Sequence, residues 1–355
     1  MAPARPVSRR GNPSECEIMS AESSNLIDAL PGASMPVAAV PEALARMWDV
    51  SPGAETGAPS AFRALQMNLI LHFGVKTSAD EARAQFDTAV EFGQHYPCRI
   101  IVLCPEPEER DDEEAMKGKL FSQCYIGPSH REMCCCEALI LGYGTRDAGF
   151  LEDQVSIWLE GDLPVYYRVH RVPTEIVRGR YLPFLRSCSR VVYDSAVDGS
   201  FLEELPWPRP GILRDLAWAR ILPLRQSLGN FLSGFDPGAI VSDLRSCRVR
   251  ASAARWNEAQ NLMCWMWGGV EACRAAVGAD HPFPEFEIER LPESEGSSIE
   301  IAWRYTDGNR FFRWRHNAES RVSILSANLT GQTVELPLPI RSLAAHEALA
   351  EALFF

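Results

Sequence analysis

Ala64–Phe73 (ALQMNLILHF), Ser78–Phe92 (SADEARAQFDTAVEF) and Arg99–Cys104 (RIIVLC) together decide the fold. The outer two segments are largely apolar and of strand length. The middle one repeats its apolar positions with helical spacing and opens on a capping-box pattern, Ser78 with Glu81 three residues on. Buried strand, amphipathic helix, buried strand is a βαβ unit. Further downstream, Lys119–Ile126 and Cys134–Leu141 read as strands, Phe150–Leu159 as a helix, Pro164–Val169 as a strand, Thr174–Leu185 as a helix and Ser189–Tyr193 as a strand. This alternation predicts an α/β N-terminal domain over residues 37–206, with a mostly parallel sheet covered on both faces. The acidic stretch Glu106–Glu114 interrupts it as an exposed loop.

Upstream, residues 1–36 are rich in Ser, Pro, Ala, Arg and Glu and show no sustained period, which predicts a disordered N-terminal extension, with Met19 as an alternative start. Pro41–Trp48 reads as a short helix with Pro41 in its first turn. Downstream, Trp207-Pro208-Arg209-Pro210-Gly211 reads as a linker. Beyond it, Ser252–Val277 is a long helical stretch. Glu285–Leu291, Ser298–Tyr305, Phe311–Arg315 and Val322–Leu329 alternate as an antiparallel meander, and Ser342–Leu353 closes as a helix. Residues 207–355 are thus expected to form a smaller α+β domain with an antiparallel sheet.

The chain has 355 residues, enough for two cores, and a net charge of -12. That charge argues against duplex nucleic acid or an anionic membrane as partner. No stretch has the length of a membrane span, and the arginines near the N-terminus precede no apolar core of a signal peptide, so a cytoplasmic protein is expected. The 11 cysteines lack CxxC or Cys/His zinc spacing and read mainly as reduced thiols. Cys134, Cys135 and Cys136 fall in one apolar run. Buried packing is their first reading, and a thiol switch with Cys124 or Cys104 is the alternative.

Catalytic signatures are scarce. Neither GxGxxG nor GxxxxGK[ST] is present, and neither GxSxG nor HExxH occurs. The seven histidines are dispersed. No cofactor and no metal are expected, and Glu152 with Asp153 fits a helix start, where the dipole favours negative charge. The richest polar constellation is Asp215-Leu216-Ala217-Trp218-Ala219-Arg220-Ile221-Leu222-Pro223-Leu224-Arg225, a turn feeding a core-facing helix that should stop at Gly234. Asp215, Trp218, Arg220 and Arg225 are its candidate partner-binding residues. Arginine's planar fork suits a carboxylate or phosphate, so internal bracing, an interface ion pair and an anion site all remain open.

This run resembles a signature of the glucose-6-phosphate dehydrogenase assembly protein family, OpcA. Other blocks agree in order: Val40–Trp48, Met67–Ile70, Pro97–Leu103, Cys136–Ile140, Asp162–Val165. The resemblance covers most of residues 37–353. It departs at Tyr166-Tyr167, where the family has a tryptophan-rich pair, and at Tyr96, which separates His95 from Pro97. What it implies is a protein that is not an enzyme but an assembly factor and allosteric activator of glucose-6-phosphate dehydrogenase in the oxidative pentose phosphate pathway. The alternatives are a scaffold without kinetic effect and an enzyme that binds a sugar phosphate or nucleotide. Some family members answer to thioredoxin, which leaves thioredoxin open as a second partner and Cys104, Cys124, Cys134, Cys135 and Cys136 as redox candidates.

Overall fold

The computed structural model describes residues 25–48, 65–106, 116–126, 133–199, 201–279, 282–292 and 296–355. Its first sheet contains β1 (Ala33–Met35), β2 (Met67–Phe73), β3 (Cys98–Glu106), β4 (Met116–Ile126), β5 (Met133–Gly144), β6 (Val165–His170), β7 (Arg190–Tyr193) and β8 (Leu213–Asp215). They lie in the order β1-β4-β5-β3-β2-β6-β7-β8. Pairs involving β4 are antiparallel and the others parallel. Counted along the chain, the parallel strands run 3-2-1-4-5-6, the doubly wound order of dinucleotide-binding sheets.

The central strands are apolar on both faces because both are covered. Leu69, Leu71 and Phe73 of β2 pack with Phe86 and Phe92 of the helix Ala79–His95. Ile70 packs with Val155 and Trp158 of the helix Leu151–Trp158 on the other side. The expected capping box is present, with the Ser78 hydroxyl accepting from Glu81 N at 3.2 Å and the Glu81 carboxylate accepting from Ser78 N at 3.0 Å.

The second sheet contains β9 (Leu244–Ala251), β10 (Glu285–Arg290), β11 (Ser298–Tyr305), β12 (Phe311–Asn317), β13 (Val322–Asn328) and β14 (Thr333–Pro339), ordered β10-β9-β11-β12-β13-β14. Its inner face sets Trp303, Phe312, Trp314 and Leu325 against Leu262 and Met266 of the helix Trp256–Val277. Its outer face carries a cross-strand ladder of Arg248, Arg250 and Arg315 with Glu287, Glu289 and Glu300. The final helix, Ala345–Phe354, returns to the first sheet, where Ala348, Leu349 and Leu353 join its core.

A mostly parallel sheet followed by a mostly antiparallel one is as expected, with three corrections of detail. Residues 25–36 are not a loose extension. Leu26, Ile27 and Leu30 are buried, the Lys119 ammonium donates to the carbonyls of Ile27 and Leu30 at 2.7 and 2.9 Å, and β1 pairs with β4. Elements this short show no periodicity. Within the second sheet, β10 is not part of a meander but pairs in parallel with β9. β14, with its two prolines, is tolerated because it lies on the sheet edge. The helix expected over 174–185 is broken into Thr174–Ile176, a π-turn Val177–Tyr181 and Leu182–Ser187, because Pro183 lacks an amide hydrogen and crowds the preceding turn. Of the acidic loop, 107–115 lies outside the described residues. Among those described, no helix is long and apolar enough to cross a membrane.

Candidate functional site

The Asp215–Arg225 run sits where the two sheets meet. Asp215 ends β8 and caps the helix Leu216–Arg220, one carboxylate oxygen accepting from the amides of Ala217 and Ser195, each at 2.9 Å. The other oxygen accepts from the Ser195 hydroxyl and the Asn261 side-chain amide, each at 2.7 Å. Asn261 belongs to the long helix over the second sheet, so one carboxylate fastens both units.

Arg220 makes the stronger tie. Its Nη1 and Nη2 donate to the two oxygens of Asp194 at 2.8 Å each, and its Nε donates to Glu258 Oε1 at 3.0 Å. Asp194 follows β7 and Glu258 lies on the long helix, so this fork also spans the junction. Burial alone would raise the Asp194 pKa, but the hydrogen bonds and charge of Arg220 hold it below its ordinary value. Burial disfavours the charged Arg220 too, and Asp194 and Glu258 outweigh it.

Trp218 and Arg225 face elsewhere. The Arg225 guanidinium lies 4.1 Å from the centre of the Trp218 ring, a cation–π contact, and 4.0 Å from Glu351. Arg225 Nε is buried without a hydrogen-bond partner among the described residues. Both residues line an open groove of about 890 Å³ walled by Trp207, Arg209 and Arg214. Pro223 stands in the first turn of Leu222–Leu232, Leu224 and Leu228 are buried, and the helix ends before Gly234. The structure therefore splits the candidates: Asp215 and Arg220 are committed to the brace, while Trp218 and Arg225 line the groove.

A doubly wound sheet ordinarily receives ligands at the strand ends where its order reverses, here between β2 and β6. That crevice is filled by the chain itself. Gly74 N donates to His170 O at 2.8 Å, and a Cβ on Gly74 would lie 1.8 Å from the Arg171 carbonyl oxygen. Arg171 Nε reaches Glu81 at 3.0 Å, which places Glu81's own carboxylate at the helix N-terminus that would otherwise face a phosphate. Nearby, His72 bridges the hydroxyls of Tyr167 and Tyr143 at 2.6 and 2.7 Å, and burial lowers its pKa to about 3. It is a neutral core histidine.

The redox candidates separate as well. Cys104 and Cys136 are buried, and burial together with Glu106 pushes the Cys104 thiol far up. Cys124, named as a partner in a possible thiol switch, is disulfide-bonded, and in the β4–β5 register it stands opposite Cys135. The side chains of Cys134 and Cys135 lie outside the described residues. Among the described residues no group of three His, Cys, Asp or Glu is placed to hold a metal ion.

Sequence reasoning missed Asp194, Ser195, Glu258 and Asn261. Asp194-Ser195 directly after a predicted strand carried a usable helix-cap signal. Glu258 and Asn261, three apart on one helix face, gave no sign of which strand they would meet.

These features define an α/β protein of two sheets joined through a buried arginine–carboxylate brace beside an open groove. The chain is similar to the Synechocystis sp. (strain ATCC 27184 / PCC 6803 / Kazusa) protein named "Putative OxPP cycle protein OpcA", with 28% identity over 204 residues, 55% of this chain. This bears out the resemblance to the OpcA family read from the sequence. The aligned part spans 41% of that relative's length. No protein-family model matches the chain. A crystallised chain from Desulfitobacterium hafniense DCB-2, described as a candidate NADPH-dependent oxidoreductase, aligns over 81% of this chain and 86% of its own, at 9% identity and a TM-score of 0.38. A likeness that weak carries no argument.

Proposed function

We propose that this protein is a noncatalytic assembly and allosteric activating partner of glucose-6-phosphate dehydrogenase, acting in the cytoplasm in the oxidative pentose phosphate cycle. The observation that carries this reading is the similarity to a relative named for that cycle. Two features of the fold support it. The strand-end crevice is occupied by Gly74, His170 and the Arg171–Glu81 pair, so the doubly wound sheet serves as a frame. The Trp218–Arg225 pair lines an open groove, and tryptophan and arginine are the residue types that dominate binding energy at interfaces.

Activation follows if this protein binds the active conformation of the dehydrogenase more tightly than the inactive one. A difference of ~1–3 kcal/mol changes substrate affinity roughly 5- to 150-fold. The test is steady-state kinetics of the cognate dehydrogenase titrated with this protein, paired with size-exclusion chromatography. Co-elution with a saturable fall in substrate KM or rise in kcat is the expected outcome. Co-elution without a kinetic change would reduce the protein to a scaffold, and neither effect would reject the reading.

A further inference from the structure

At and beside the groove lies a concentration of positive charge that the brace does not use and that stands out in a chain of net charge -12: Arg209 and Arg214 line the groove, and Arg190 adjoins it through its hydrogen bond to Ala352. Arg214 of β8 lies opposite Val192 of β7, and Arg190 is two residues before Val192. Side chains two apart on a strand share a face, so the two arginines are neighbours on one side of the sheet. Arg209 comes from the adjoining linker.

None of the three has a carboxylate partner among the described residues. Arg209 Nη2 donates to the carbonyls of Cys188 and Ser189 at 3.1 and 2.9 Å. Arg190 Nη1 donates to the Ala352 carbonyl at 3.3 Å, near the negative end of the final helix. The guanidinium of Arg214 makes no hydrogen bond or ion pair within the described residues. It lies over Gly211, whose backbone is left-handed at φ 80° and where a Cβ would meet Arg214 Nη2 at 2.9 Å. A side chain at position 211 would crowd that guanidinium.

The carboxylates at the groove are engaged otherwise. Asp215 is spent on Ser195, Ala217 and Asn261, Glu203 accepts from the Tyr193 hydroxyl, and Glu351 is nearest to Arg225. Burial and then the charge of Arg190 lower the Arg214 pKa, as expected for two like charges with no counter-ion between them.

We propose that Arg190, Arg209 and Arg214 form an oxyanion site for the phosphate monoester of a small metabolite, at the groove that Arg209 and Arg214 line and Arg190 adjoins. Guanidinium groups pair with phosphate oxygens through paired N–H donors, and carbonyl anchors hold two of the three side chains in place beforehand. A groove of about 890 Å³ has room for the organic part of a metabolite as well as the phosphoryl group. This site does not depend on the dehydrogenase reading.

The test is isothermal titration of the full chain with inorganic phosphate and with glucose 6-phosphate as probes. Saturable binding of phosphate is expected, with glucose 6-phosphate about tenfold tighter. Both should weaken at least about tenfold in Arg214→Gln and Arg190→Gln and stay unchanged in Arg178→Gln, on an exposed turn outside the groove. Arg209→Gln, on the exposed linker, gives the same reading should a strand variant fail to fold. No saturable phosphate binding, or binding that survives these groove variants, would overturn the proposal. Phosphate binding with no gain from the sugar would overturn the metabolite as its source and leave the arginines to a phosphoryl group carried by a partner chain.

Discussion

Within one eleven-residue run, Arg220 and Arg225 are the same residue type five positions apart, yet they lie in opposite situations. Arg220 has its fork filled by two buried carboxylates from different parts of the chain. Arg225 rests on an indole beside an open groove, and its nearest carboxylate is 4.0 Å away. The helix period explains the difference, since five residues turn a side chain by well over a full turn and across a change of helix. The lesson is that a motif is not a single functional unit. One part of it is tied into the fold by carboxylates distant in sequence, and another lines the groove.

The comparison breaks most sharply at Arg220. Arg220→Met leaves buried Asp194 without its guanidinium and Glu258 with only Arg255, 3.7 Å away, and should cost ~3–5 kcal/mol in urea denaturation. Trp218→Ala should cost less, ~1–3 kcal/mol in the same assay, because it removes the cation–π contact with Arg225 and the part-buried packing of the indole against the second core. A large loss at Trp218 and a small one at Arg220 would invert the assignment.

Lowered pH attacks the buried groups and not the groove. Burial lowers His72 from 6.5 to about 3, and His170 and His316 from 6.5 to about 4. A depressed histidine pKa means that the unfolded chain binds the proton first. The stability these groups hold is complete above pH 6.5 and is lost as pH falls toward 4. Unfolding free energies from urea denaturation between those limits should fall by more than the ~1.4 kcal/mol per pH unit that one proton supplies. Asp194, held low by Arg220, adds a loss of the same sign at more acid pH.

Asp215→Ala sharpens the comparison at a smaller scale. It removes a helix cap and the link to Asn261, and should cost ~1–2 kcal/mol while leaving the Trp218–Arg225 contact in place. Trp218→Ala should separate stability from the proposed function: a loss of stability smaller than that of Arg220→Met, with the proposed activation of the dehydrogenase weakened at least about tenfold. Trp303→Ala should show the reverse, since Trp303 is buried in the second core.

Much of the frame was legible from periodicity alone. β2, β3 and the helix between them announce themselves because each strand is apolar throughout and the helix carries its own cap at Ser78 and Glu81. What stayed hidden depended on contacts distant in sequence. Leu26, Ile27 and Leu30 are ordered by β3, β5, the 79–95 helix and Lys119 of β4, all distant in sequence, so their own few residues carry no period. β9 carries Arg248 and Arg250 on its outer face, and they are balanced by glutamates from β10 and β11 that only the fold brings beside them. At the site, the residue types of the Asp215–Arg225 run marked its importance. The partners of Arg220 lie 26 and 38 positions away and emerge only from the fold.

The most direct test of the account is hydrogen–deuterium exchange of this protein alone and with its cognate glucose-6-phosphate dehydrogenase. Binding through the groove predicts slowed exchange over residues 207–225, with no change around Gly74 and Arg171 in the filled crevice. Slowing at the crevice with none along 207–225 would contradict the division between brace and groove, and no slowing anywhere would contradict the partnership.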